Sequence, residues 1–201
     1  MRVRLCLYSL LILTLLAGCT GGSLESAATQ TSRQKVDSLG GGLPFDQFLE
    51  ESWHSVMRRD PELLTELGIS AAFGMADDQL TDISYAYQNE TYALYDQILE
   101  TLYSYNRAVL TPEEQLNYDI YAYYLEDTLR GQAYVDDLYP INHFSVGVQN
   151  QLVRFFTDIH PVADQQSAED YITRLSQVDE KFNQLIANMQ RSEEAGVITP
   201  R

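Results

Sequence analysis

Thr111-Pro112-Glu113-Glu114, followed by Leu116, Ile120, Tyr121, Tyr124, Leu125 and Leu129, is written as the start and one face of a long α-helix. A threonine hydroxyl accepts from the amide three residues on, proline suits the first helical position, and Glu114 returns a bond to the cap. The apolar residues recur at three and four, which puts them on one face, and Gly131 or the Asp136-Asp137 pair weakens the pattern. Upstream, Tyr85, Tyr92, Tyr95, Leu99, Leu102 and Asn106 predict a helix from about Ile83 to Asn106. The short gap between the two makes them antiparallel neighbours.

Helical spacing extends in both directions from this hairpin. Phe45, Phe48, Leu49, Ser52, Trp53, Val56 and Met57 share a face on a helix that stops near Asp60-Pro61. Asp60 caps a second short helix with Pro61 in its first position, Gly68 suits the exit, and residues 69 to 80 read as a loop. Downstream, Tyr139-Pro140-Ile141-Asn142 breaks the helical pattern. It resumes through Val148, Leu152, Phe155, Phe156 and Ile159 to His160-Pro161. Ser167 reads as the cap of a last helix, with Tyr171, Ile172, Leu175, Val178, Phe182, Leu185, Ile186 and Met189 at three-four spacing and Gly196 as terminator. The expected fold is an all-α multi-helix bundle.

The chain begins differently. Arg2 and Arg4 precede an apolar run from Leu5 to Leu16 that is too short to span a bilayer, and Leu16-Ala17-Gly18-Cys19 closes it. This pattern resembles the lipobox of bacterial lipoproteins, which implies removal of residues 1–18 and acylation of Cys19. Several acyl chains anchor a domain stably where one is marginal, at about 0.8 kcal/mol per buried methylene. Thr20 at the next position resembles outer-membrane sorting in Gram-negative lipoproteins, so the expected location is the cell envelope, facing the periplasm. Residues 19–43 are rich in Gly, Ser, Thr, Ala and Gln and read as a flexible tether, leaving residues 44–201 as the helical domain.

Composition narrows the partners. With 13 Lys+Arg against 29 Asp+Glu the formal charge is -16, which repels nucleic acid and anionic head groups. The lipid on Cys19, not a basic patch, is the expected membrane contact. The two cysteines are Cys6, inside the signal, and Cys19, so the domain has no disulfide or thiol chemistry. Fourteen tyrosines, ten of them in the hairpin, supply apolar area with a polar tip; they suit a half-solvated helical seam first and a sugar or peptide groove second.

Arg59-Asp60-Pro61-Glu62, Leu67-Gly68-Ile69, Tyr139-Pro140-Ile141-Asn142 with Gly147, His160-Pro161, Glu169-Asp170-Tyr171, Arg174-Leu175 and Gly196-Val197-Ile198-Thr199-Pro200-Arg201 carry a further resemblance. In order and spacing they are similar to the opening part of the bacterial family called domain of unknown function 885. The resemblance implies a mostly helical, often lipid-anchored protein related to zinc metallopeptidases, with a His-Glu motif on a helix in the later part of the domain. Here His54, His143 and His160 are the only histidines, and none is followed by Glu. A hydrolytic zinc site needs about three protein ligands and a carboxylate base.

The expectation is therefore the non-catalytic amino-terminal portion of a larger zincin-like domain, with no catalytic, cofactor or metal residues of its own. Zinc is expected only with the missing carboxy-terminal part, and the partners expected are a peptide substrate or that missing part. A second reading is a complete small helical envelope lipoprotein that binds a protein or peptide. A third is an independent hydrolase, for which the chain offers only a generic supply of carboxylates and hydroxyls; His143 and His160 with Glu169 or Asp170 form a metal combination to weigh, while Asp77, Asp78 and Asp82 lack the spacing and central Gly of a calcium loop and read as a solvated loop.

Overall fold

The computed structural model describes residues 42–142 and 146–198. The signal segment, Cys19, His143 and the tether up to residue 41 lie outside them. The described residues form α1 (Phe45–Met57), α2 (Pro61–Glu66), α3 (Tyr85–Tyr103), α4 (Pro112–Gly131), α5 (Val148–Arg154), α6 (Gln165–Leu175) and α7 (Val178–Glu194), joined by short 3-10 turns and loops, with no β-strand among them. The fold is all-α. No helix among the described residues is long and apolar enough to cross a membrane.

Local chemistry sets the boundaries. The Thr111 hydroxyl accepts from the Glu114 amide and the Glu114 carboxylate accepts from the Thr111 amide, so α4 opens with the complete capping box its sequence predicts. Asp60 caps α2 through the Leu63 amide, with Pro61 behind it. Gly68 and Gly196 both take positive φ at helix exits, where a side chain would be strained. Two boundaries differ from expectation. Helix α3 starts at Tyr85 rather than Ile83, because Ser84 accepts from the Tyr87 amide, and it ends at Tyr103. The last helix is capped by Asp164, with Ser167 three residues on returning the bond, and it breaks at Ser176-Gln177 into α6 and α7.

Helices α1, α3 and α4 share one core. Phe45 and Phe48 meet Leu94, Ile98 and Leu102 of α3 and Ala122 and Leu125 of α4, and each Phe, Leu or Ile side chain contributes about 1.5–3 kcal/mol on burial. The ring pairs Phe45–Tyr118 and Phe48–Tyr121 advance together, so α1 and α4 run parallel. The pairs Tyr95–Tyr124 and Tyr103–Tyr118 advance oppositely, so α3 is antiparallel to α4, as the short connection requires. A second core joins Leu80, Leu152 and Phe155 to Phe156, Ile159, Val178 and Phe182. Its π-helical turn, Phe155–Ile159, follows α5 directly and closes with the His160 amide on the Phe155 carbonyl.

The burial of α6 and α7 departs from the apolar stripe. Leu185 is buried, but Ile172, Leu175 and Ile186 are exposed, while Arg174 and Lys181 are buried. The face turned inward carries Arg174, Gln177, Lys181, Gln184 and Asn188, at alternating three and four spacing. It holds the non-helical segment 78–83. Gln177 bonds both the Asp78 carbonyl and the Leu80 amide, Lys181 the Thr81 carbonyl, and Gln184 and Asn188 the amide and carbonyl of Ile83. A partly buried segment without helix or sheet partners must find its hydrogen bonds elsewhere, and these side chains supply them.

Candidate functional site

Arg174 is fully buried, with no exposed surface. Its Nε donates to the Gln79 carbonyl at 2.7 Å, one terminal nitrogen to Nδ1 of His160 at 2.8 Å, and the other to the Thr65 hydroxyl at 2.9 Å. The guanidinium also lies over the Phe155 ring, 4.9 Å from its centroid. Burial lowers the Arg174 pKa, and the Asp77 charge opposes that. Asp77 accepts from Thr65 and Ser70. Burial alone would raise its carboxyl; the two hydroxyls and the Arg174 charge hold it below the ordinary range. Every member has partners, which is the condition under which a buried polar network rigidifies a fold.

Two similar joints flank it. Arg59 bonds the Thr91 hydroxyl and the Tyr87 carbonyl, stacks on the Tyr87 ring at 3.7 Å, and receives the Tyr87 hydroxyl on its own carbonyl. Burial pushes the Tyr87 phenol up to about 12, so it stays a neutral donor. Lys181 pairs with Glu62, which also accepts from the Thr81 amide, while the Thr81 hydroxyl bonds Asp60. Asp60, Glu62, His160 and Arg174, four of the residues that carry the family resemblance, thus pin α2, segment 78–83 and α6–α7 together, and Arg59, a fifth, ties the start of α2 to α3.

The described residues do not fit a zinc ion. Arginine only donates, so Nδ1 of His160 is an acceptor and Nε2 carries the proton toward the Ser167 carbonyl at 3.3 Å. Glu169 and Asp170 receive Gln165 and Gln166, and His54 packs on Trp53 and Phe73. Among the described residues no group of three or more His, Cys, Asp or Glu is placed to hold a metal ion.

The surface offers a different feature, an apolar groove of about 480 Å³ along the seam of α1 and α4. The α1 stripe read from the sequence divides in two. Phe45, Phe48 and Ser52 turn into the core, and Leu49, Trp53, Val56 and Met57 line the groove. Helix α4 divides likewise, with Ala122 and Leu125 inward and Ile120, Tyr121 and Tyr124 in the groove. Trp53 is 47% exposed and Ile120 58%. The Tyr121 hydroxyl donates to Ser52 at 3.0 Å, and burial pushes that phenol up to about 12. No charged side chain lines the groove. Its lining is apolar and aromatic, with Asn117 as a further polar group.

A protein family described as "Bacterial protein of unknown function (DUF885)" matches residues 61–201. The chain belongs to this family. The DUF885 portion runs from α2 onward and contains the Glu62–Lys181 and Arg174–His160 joints, whereas α1, one wall of the groove, precedes it. No curated protein and no solved structure matches the chain significantly.

Sequence reasoning placed no catalytic residue in the chain. The lipidation position Cys19 lies outside the described residues. Arg174 and Lys181 escaped it as buried anchors because polar residues at helical spacing ordinarily mark a solvated face. The available signal for Arg174 was its place in a resemblance motif at the end of α6; Lys181 lies in no such motif.

Proposed function

We propose that the protein is an exported bacterial lipoprotein, held to the envelope membrane through acylated Cys19, whose helical domain provides a non-catalytic binding wall to a metallopeptidase-like protein. The α1–α4 groove carries the wall: an open, uncharged, aromatic channel exposing Trp53, Ile120 and Tyr124 fits a peptide or a partner helix. The anchor is supported by Arg2 and Arg4, the short apolar run and Leu16-Ala17-Gly18-Cys19. The acidic chain leaves the lipid as the membrane contact, and Thr20 favours the outer membrane of a Gram-negative envelope. The peptidase relationship rests on the family resemblance, in which zinc belongs to a His-Glu helix beyond these residues.

Mass spectrometry of the protein from its host tests the anchor. The expected mature chain begins at Cys19 carrying diacylglycerol, Cys19→Ser abolishes palmitate labelling, and an unmodified residue 19 overturns it. Reading the gene past the codon for Arg201 tests the peptidase relationship, since a continuing His-Glu motif is expected. Its absence leaves the second reading, a small helical envelope lipoprotein that binds a partner, which the same groove favours.

A further inference from the structure

The direction of the α1–α4 groove and the acids beyond one of its ends specify an occupant. We infer that it takes one amphipathic α-helix of a partner protein, antiparallel to α1 and α4, with Lys or Arg flanking its apolar face in its carboxy-terminal half. This rests on the groove being the binding wall.

Three observations carry it. The first is topology: α1 and α4 run parallel and α3 runs against α4. In an up-down four-helix bundle, parallel helices sit on a diagonal and antiparallel ones are neighbours, so a helix running with α3 completes the set. The second is the lining. Leu49, Trp53 and Met57 on α1 and Ile120, Tyr121 and Tyr124 on α4 repeat at three and four, two rows between which a ridge of i, i+3, i+4 and i+7 side chains interdigitates. A second copy presents the same concave seam rather than a ridge.

The third is charge. Helix α1 contains Asp46, Glu50 and Glu51 and no Lys or Arg, and α4 has five acids before its first cation, Arg130. Asp119 is paired with Arg107, and Glu126 and Asp127 lie at Arg130. Asp46 and Glu113 are exposed in the first turns of the two parallel helices, with Glu50 exposed one turn further along α1, toward one shared end of the groove. An antiparallel partner brings its carboxy-terminal half to that end, where its own dipole also favours cations. The same acids disfavour an anionic lipid surface.

Trp53 is the sole tryptophan of the chain and lines the groove, so its emission reports occupancy. The full chain in phosphatidylcholine nanodiscs is titrated with a tryptophan-free helical peptide carrying leucines at i, i+3, i+4 and i+7 and lysines in its carboxy-terminal half. The expected result is a saturable blue shift, about tenfold weaker when glutamates replace the lysines and weakened severalfold by raised salt. Ile120→Asp, at an exposed position, is expected to abolish the shift with an unchanged thermal melt. Equal binding of both peptides overturns the charge assignment and leaves the wall standing; response to neither overturns both. A blue shift on concentrating the protein alone assigns the groove to a second copy, and one on adding bare vesicles assigns it to lipid; either overturns the inference.

Discussion

Arg174 of α6 donates to Nδ1 of His160 at 2.8 Å, and this one bond ties the end of the π-helical turn to the inward face of the last helical pair. The same guanidinium reaches Thr65 at the end of α2 and Gln79 in the segment before α3. One side chain therefore fastens four parts of the fold that are distant in sequence.

Removing that side chain leaves several buried acceptors without a donor. Arg174→Met is expected to cost about 3 kcal/mol, because breaking a buried charged network leaves polar groups unpaired. Arg174→Lys should cost nearly as much, since an ammonium cannot reproduce the three-way fork. Urea unfolding of the full chain followed by near-ultraviolet circular dichroism measures both.

Asp77 gives the joint an acid dependence. Its carboxyl is held below its usual value in the fold by Ser70, Thr65 and Arg174 against the opposing effect of burial, so its contribution is fully present above the unfolded pKa of about 4 and is lost as pH falls through the folded value. The urea midpoint should therefore drop as pH falls below about 4. Asp77→Asn should flatten part of that drop while lowering the midpoint at neutral pH.

The exposed apolar residues of α6 and α7 should be silent where the buried one is not. Leu185 is 1% exposed, whereas Ile172 and Ile186 are more than half exposed. Leu185→Ala is expected to cost about 2–5 kcal/mol, and Ile172→Ala and Ile186→Ala less than about 0.5 kcal/mol each. Thermal melts of the three variants decide between this burial and the apolar stripe read from sequence.

Lys181 and Glu62 lie in contact across 119 residues of chain with little exposure. A double-mutant cycle of Lys181→Met and Glu62→Gln should return a coupling of about 1–2 kcal/mol, and a value near zero would show the pair to be a surface-like contact.

The motif residues illustrate how far local reasoning reaches. Thr111 and Glu114 are three residues apart, so their mutual bonds follow from helix geometry alone, and the start of α4 was legible. The Trp53 face was legible as apolar, but which half of it meets α3 and which half borders α4 depends on two crossing helices far away in sequence. The caps Ser84 and Asp164 were missed, with Ser167 read in place of Asp164, because several polar residues near each helix start can cap, and the winner is set by where the incoming chain is held.

The sequence by itself determined the helical class, most helix boundaries, the absence of cysteine from residues 44–201 and the acidic charge, because each is a property of composition or of contacts within a few residues, and it carried the family through the resemblance of its motifs. Only the tertiary structure decided that α6 and α7 turn Arg174 and Lys181 inward and leave Ile172 and Ile186 in solvent. The physical reason is the 78–83 segment, whose backbone groups need hydrogen bonds that an apolar face cannot give. The tertiary structure also divided the apolar rows of α1 and α4 between a core and an open groove, since a row wider than one interface has its surplus disposed of by the neighbours it packs against.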